Sequence, residues 1–453
     1  MRGWVLPVVL LLSACAPATP GDQPTRANIA DSSLPPMKTF APRLQPAAAP
    51  SDTDLAQDFL DLSFALESGR VLPVFTRFEG PITLRVTGKP PASLGPDLMR
   101  LLGRLRAEAG VPVTVTTDPA AAITIEAVPR AAIRRVLPQA ACFVAPNVSS
   151  LKDYRGARRS SRTNWALLRT RTRLAIFVPN DASAQEVRDC LHEELAQSIG
   201  PLNDLYRLPN SVFNDDNVHT VLTGYDMLIL RMTYAPELRS GMTRAQVAAR
   251  LPQILARLNP GGRYTQARLA GPTPRAWSDA IQIALGHGSS PDARRAAADR
   301  AISIARRAGW RDHRLGFSHY AKGRIVQQSD PGVALSQYEL ADRIYAASPD
   351  TRLHRAYVAT HLAAFAIASG DGATALAHVD PFIDSAVASE NAALLSTLML
   401  LRAEALTLTG RDSEARRVRL DSLGWARYGF GPDWAVRAKM REIASLNPRS
   451  GPT

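Results

Sequence analysis

Apolar positions along this chain change their rhythm twice. Residues 55–67 have the spacing of a short amphipathic helix. Pro81-Ile82-Thr83-Leu84-Arg85-Val86 alternates as a strand does. From Leu94 to Ala109 the period returns to helical, with Leu98, Leu101, Leu102 and Leu105 on one face. Val113–Thr117 and Ile123–Val128, split by Asp118-Pro119, predict two strands, and Cys142–Val144 and Leu174–Val178 predict two more. A helix is expected from Ala184 to Ile199, stopped by Gly200-Pro201, and another over Thr243–Leu258 with Thr243 as its N-cap. Strands and helices mixed in this way predict an α/β or α+β domain.

The second change follows Asn259-Pro260-Gly261-Gly262 and Gly271-Pro272-Thr273-Pro274. Everything beyond is rich in Ala, Leu and Arg and reads as helix. Turn-then-helix passages recur at Ser290-Pro291-Asp292-Ala293, Asp330-Pro331-Gly332-Val333-Ala334, Gly370–Ala375 and Gly410–Ala415, at intervals of about 41 residues. A fixed period with this texture predicts an α-solenoid, with a plain helical bundle as the alternative. The passages Phe365–Asp371 and Leu406–Arg411 are similar to the turn between the two helices of a tetratricopeptide unit, although the interval exceeds that family's usual length. The expected organisation is a mixed domain over 53–260, a linker over 261–275 and an all-α, tetratricopeptide-like repeat region over 276–447.

The first residues are one positive charge at Arg2, an apolar run Val5–Leu12 too short to span a bilayer, and Ser13-Ala14-Cys15. Leu12-Ser13-Ala14-Cys15 resembles the lipobox of bacterial lipoproteins. That resemblance implies a leader over 1–15, lipid on Cys15, and a membrane-anchored chain in the cell envelope that faces the periplasm. Plain cleavage between Ala14 and Ala18 is the alternative. Ala16 after Cys15 is compatible with onward sorting to the outer membrane. Residues 16–52 are rich in Pro, Ala, Ser and Thr with few large apolar side chains, and are expected to form a disordered tether.

The net charge of +13 comes from Arg, with only five Lys in the chain. An Arg- and Ala-rich composition outside the cytoplasm does not point to nucleic acid; a positive surface there meets anionic headgroups or acidic polymers. Seven arginines stand between Arg155 and Arg173, with Tyr154 and Trp165 interleaved. A solvated loop before the strand Leu174–Val178 is expected there, with an anion-binding loop as the alternative. Of three cysteines, Cys142 and Cys190 remain once Cys15 carries lipid. An even pair in an oxidising compartment predicts a disulfide; two buried free thiols are the alternative.

The passage Glu193-Glu194-Leu195-Ala196-Gln197-Ser198-Ile199-Gly200-Pro201-Leu202-Asn203 has the spacing of HExxHxxGxxH, the metzincin zinc motif. Starting the register at His192 fails, because Ala196 cannot bind metal. Ligands four apart share a helix face, and the glutamate between them reaches a metal-bound water as general base. Here Glu193, Gln197 and Asn203 stand at the three ligand positions and Glu194 at the general base. Ser211-Val212-Phe213 stands where metzincins have a Met-turn, with Phe213 for the methionine. Leu222-Thr223-Gly224-Tyr225-Asp226 and Leu230–Tyr234 resemble the segment that follows the Met-turn. The run from about Leu55 to Leu258 resembles an uncharacterised family of bacterial exported proteins (the DUF2927 type) with a degenerate zincin-like domain.

That resemblance implies an α+β, metzincin-like domain whose zinc site has been dismantled. Amides are poor zinc ligands, and the domain holds only His192 and His219. No cofactor is expected, although one carboxylate with two amides leaves weak zinc or calcium binding open. Asp204, Asp215 and Asp216 could add oxygens, with turn and capping chemistry as their plainer role. The expected function is binding of a peptide or protein partner in the envelope, by strand addition to the old cleft, with the helical repeats widening the surface. The alternatives are a live metal-dependent hydrolase using Glu193 and Glu194, with Asp204 adding a further carboxylate, and a structural scaffold of the envelope. No nucleophile elbow, phosphate loop or dinucleotide fingerprint supports another enzyme class.

Overall fold

The computed structural model describes residues 32, 34–41, 43, 44, 48–268 and 270–449. Cys15, the leader over 1–15 and the tether residues 16–31 lie outside them. The described residues from Pro35 onward form one compact unit.

The mixed part begins with α1 (Asp52–Ser63), β1 (Ile82–Gly88) and α2 (Leu94–Arg104), whose end winds on as a π turn over Leu105–Ala109. There follow β2 (Val113–Val115), β3 (Ile123–Val128), α3 (Arg130–Arg134), β4 (Phe143–Pro146), α4 (Leu151–Ala157) and β5 (Leu174–Pro179). The helices α5 (Ala184–Ile199), α6 (Gly224–Thr233), α7 (Arg244–Ala248) and α8 (Leu251–Leu258) complete it. The five strands lie in the order β2-β1-β3-β5-β4. The first four are parallel, and β4 runs antiparallel to β5 with Val144 opposite Ile176.

Every residue of β5 is buried, because helices cover both faces of the sheet. Leu174, Ile176 and Val178 point to the larger core with Ile123 and Ile125. Ala175 and Phe177 point to a smaller core with Phe143, Ile133 and Val148. On α5, Val187, Leu191, Leu195 and Ile199 recur four apart, are fully buried, and pack into the larger core. Burying each such side chain contributes roughly 1.5–3 kcal/mol. This apolar stripe is what orients the opposite face of α5, where the motif residues stand.

The all-α part comprises α9 (Arg275–Leu285), α10 (Pro291–Arg307), α11 (His313–Val326), α12 (Pro331–Ala346), α13 (Arg352–Ala368), α14 (Gly372–Val379), α15 (Ile383–Ala388), α16 (Ala392–Leu408), α17 (Asp412–Phe430) and α18 (Asp433–Ala444). Successive helices pack on one another from α9 to α14, and then α14 on α16 and α16 on α17. The recurring passages are helix starts. Ser290, Asp330 and Asp371 are N-caps whose side chains accept from Ala293, Val333 and Thr374 N–H. Gly370 and Gly410, at φ 79° and 77°, end α13 and α16 in the left-handed conformation that glycine adopts without penalty. The chain is thus an α+β region followed by an all-α region.

Four stretches differ from expectation. Residues 35–41, inside the expected tether, are packed. Phe40 is buried and stacks on Trp425 at 4.5 Å, and Lys38 N–H donates to Gly424 O at 3.0 Å. One aromatic anchor and backbone pairing order a segment whose composition predicts none. The expected linker is also held, as Arg268 N–H donates to Asp54 at 2.6 Å and its guanidinium to Asp58 at 3.2 Å. The expected helix over Thr243–Leu258 is two helices, because Pro252 has no N–H for the carbonyl of Ala248. The arginine-rich loop contains α4, capped by Ser150.

Candidate functional site

Helix α5 begins at Ser183, whose hydroxyl accepts from Glu186 N–H at 3.2 Å. Its far end is held by a residue of the arginine-rich run. Arg171 is buried and donates to the carbonyls of Gln197 at 2.7 Å, Ser198 at 2.8 Å and Gly200 at 2.6 Å. These carbonyls belong to the helix end that has no internal donors, and the cation complements the helix dipole. Gly200 has φ −133°, so a left-handed turn is not its reason for being glycine. A Cβ there would stand 2.5 Å from Leu230 Cδ2 and 3.0 Å from Ala196 O, so a side chain would require Leu230 to shift. The Cys142–Cys190 disulfide is present and ties the entrance of β4 to α5 across 48 residues of sequence.

Gln197 and Asn203, at two of the three ligand positions, are engaged elsewhere. Gln197 Nε2 donates to Glu67 Oε1 at 3.4 Å, and Asn203 Nδ2 donates to the main-chain oxygen of Asp61 at 3.0 Å. Nearby, Arg207 bridges Asp58 and Asp61 at 2.7 Å each, strapping the loop after Gly200 to α1. Glu193 is partly exposed, whereas Glu194 is buried with Oε2 lacking any hydrogen-bond partner. Among the described residues no three His, Cys, Asp or Glu side chains are grouped to hold a metal ion. The residues at the zinc-motif positions therefore do not fit zinc.

What the fold gathers instead is carboxylate. Glu67, Glu193, Glu194, Asp204 and Asp215 act on one another across the site. Burial, then Glu67, Asp215 and Asp189, push Glu193 up to about 8. Burial, then Glu193 and Glu67, hold Glu194 well above the usual carboxyl range. Asp204 is raised well above that range and Glu67 more modestly, each chiefly by burial. Burial also raises Asp215, although hydrogen bonds from Tyr206, at 2.9 Å, and Gln282 oppose this. The neighbouring Arg275 is engaged with Asp279 and with the main-chain oxygen of Glu67, both at 2.9 Å.

A carboxyl raised on folding binds its proton more tightly when folded, so its stabilising contribution is complete below the unfolded value of about 4.3 and is lost as pH rises through the folded value. The melting temperature is expected to fall as pH rises from about 4.3 to about 8, and Glu193→Gln to flatten that fall. Thermal denaturation across this range checks it; an unchanged slope in the variant would remove the cluster as the cause.

The remaining motif residues are structural. His192 Nδ1 accepts from Leu222 N–H at 3.1 Å, and burial holds it neutral, far below the usual histidine range. His219 bonds Pro209 O at 3.0 Å. Phe213, at the Met-turn position, is fully buried in the larger core. Thr223 and Asp226 form a capping box on α6, and Asp226 also accepts from Ser211 Oγ at 2.5 Å and Val212 N–H at 3.2 Å. The Leu-Thr-x-x-Asp pattern is thus a buried hydrogen-bond hub. Asp216 accepts from Val218 N–H at 3.0 Å, the expected turn role, but also meets His354 of α13 at 2.9 Å.

Sequence reasoning missed Glu67 and the contributions of the all-α part. A cavity of about 920 Å³ lies between Asp215–Val218 and the helices α9, α11 and α13, reached also by Gln139 just ahead of β4. Asp215 belongs both to its wall and to the carboxylate group. No local pattern pairs these residues, since Glu67 and Gln197 are 130 positions apart.

A family model described as "Protein of unknown function (DUF2927)" matches residues 52–253. No curated protein and no solved structure matches the chain.

Proposed function

We propose that this chain is a non-catalytic binding protein of the cell envelope, in which a metzincin-like frame that has lost its zinc ligands takes a peptide or protein segment beside β4. One observation carries the reading: two of the three ligand positions, Gln197 and Asn203, are tied to Glu67 and to the main chain of Asp61. Glu194 keeps the general-base position beside ligand positions held by amides, which are poor zinc ligands.

The frame supports the comparison with metzincins. The motif lies on the helix that follows the last strand, and the sheet ends in β4, the antiparallel edge strand. An edge strand offers main-chain donors and acceptors to an added strand, and the cavity bordered by Gln139 offers room for side chains. The helices α9, α11 and α13 form its other wall, the position expected of a tetratricopeptide-like scaffold that enlarges a binding surface. The lipobox-like Cys15 supports anchoring in the envelope, and the disulfide suits an oxidising compartment.

The test is incubation of the purified mature chain with a peptide mixture, with and without added zinc or calcium, followed by mass spectrometry. Peptides are expected to be retained and none cleaved. Cleavage that disappears in Glu194→Ala would overturn the reading in favour of a hydrolase.

A further inference from the structure

We propose that the exposed basic face shared by α3 and α4 is a docking surface for the phosphate-bearing headgroups of an anionic membrane. The inference rests on the envelope-anchored reading above and adds the face that the folded part turns to the lipid.

The face follows from how the two helices are held. Leu151 and Ala157 of α4 and Ile133 of α3 enter the smaller core. Lys152 and Arg155, three residues apart, share a side of α4 that is left exposed. Arg158, at the end of α4, donates to Val136 O at 3.2 Å, and this fixes the end of α3, with Arg135, beside α4. A hollow of about 410 Å³ lies between them. Its lining is Arg135, Lys152, Arg155 and Arg158 with Val136 and Gly156, and includes no acid. None of the four cations is paired with a carboxylate among the described residues. The acids of the surrounding elements are already engaged. Arg162 pairs with Asp153, Arg130 pairs with Glu186 at 2.6 Å, and Glu126 accepts from Leu151 N–H at 2.5 Å. Like charges around one hollow repel, and an oxyanion seated there removes that repulsion. Arginine forks to phosphate through two parallel N–H bonds.

The position of the face decides which anion. Contacts join it to the point where the described chain emerges. Pro35 O accepts from Arg427 of α17 at 2.9 Å. A Cβ on Gly431, which ends α17, would stand 3.2 Å from Cα of Ser183, the cap of α5. Asp181, two residues before that cap, accepts at 2.9 Å from the N–H of Arg130, the first residue of α3. Cys15 precedes Pro35 by 20 residues, so a lipid on it is joined to this region by at most about 70 Å of chain. Such a leash confines the face near headgroups, where each exposed cation adds attraction to an anionic surface. A soluble acidic polymer gains nothing from the leash.

The experiment is co-sedimentation of the chain from Ala16 onward, which keeps the whole compact unit and lacks Cys15, with vesicles of phosphatidylcholine alone or of phosphatidylcholine with one third phosphatidylglycerol. Binding to the mixed vesicles is expected to exceed binding to phosphatidylcholine at least about tenfold, and to fall by a similar factor between about 50 mM and about 500 mM salt. Arg135→Gln with Arg155→Gln is expected to weaken it about tenfold; both side chains are exposed, so folding is retained, which melting curves verify. Arg416→Gln with Arg417→Gln, the same loss of charge in the first turn of α17, is expected to change it by less than about twofold. Equal weakening by the two pairs would overturn the inference, leaving an effect of net charge only. Equal binding to the two kinds of vesicle would also overturn it. Binding to soluble polyphosphate with none to the mixed vesicles would overturn it in favour of an acidic polymer. Incorporation of a fatty-acid label at Cys15 in the expressing bacterium reads the anchor separately. Label without vesicle binding would overturn this inference and leave the envelope reading standing; neither label nor vesicle binding would overturn both.

Discussion

Arg171→Met is expected to destabilise the chain by about 3–5 kcal/mol, the largest effect of any single substitution considered. The side chain is 4% exposed and has no carboxylate partner among its hydrogen bonds. Its guanidinium is stabilised by oxygen dipoles alone: three carbonyls at the end of α5 and Thr76 Oγ1 at 3.3 Å. Burial lowers its pKa to about 10, which still leaves it charged at neutral pH. Methionine fills much of the volume and removes the cost of burying a charge, which offsets part of the loss. Three buried carbonyls then lack donors, at about 1–3 kcal/mol each. Arg171→Lys keeps the charge but cannot fork to three oxygens, so an intermediate loss is expected. Denaturant unfolding of the three proteins measures this. A change below about 1 kcal/mol for Arg171→Met would mean that the guanidinium does not hold the helix end. The same change removes the donors to the Gln197 and Gly200 carbonyls.

Cys142→Ser with Cys190→Ser is expected to lower stability by about 4 kcal/mol, the chain-entropy value for a loop of this length. The bond closes 48 residues that include α4, β5 and the arginine-rich run, and joins the sheet's edge to the helix that carries the motif. The native chain is expected to yield no titratable thiol at either position until reduced. Unfolding with and without reductant, together with thiol alkylation, reads both points. Free thiols in the native chain, or equal stability after reduction, would contradict them.

Much of the fold was legible in the chain because its signals are local. The helix from Ala184 to Ile199 has a serine cap, apolar residues four apart and a Gly-Pro stop, and it forms over those residues. Ile123–Val128 forms as a strand over the residues that its β-branched run marks. The helix starts at Pro291, Pro331 and Gly372 follow from caps one residue ahead of them. Less local features were misjudged. The segment 35–41 has a tether's composition, but the surface of α17 receives Phe40 and Lys38. The arginines between Arg155 and Arg173 look alike in sequence, yet Arg162 is an exposed partner of Asp153 while Arg171 is buried at the end of α5.

The sequence by itself determined the two-part organisation, the spacing of the motif and the absence of histidines from its ligand positions, because period, caps and residue identity are carried by neighbours along the chain. Only the tertiary structure decided what surrounds Gln197, Asn203 and the end of α5. It brings Glu67 to Gln197, Asp215 to the wall of a cavity and Arg171 to the helix end. These pairings depend on how helices lie on the sheet, and burial then sets their electrostatics by removing the water that would screen one carboxyl from the next.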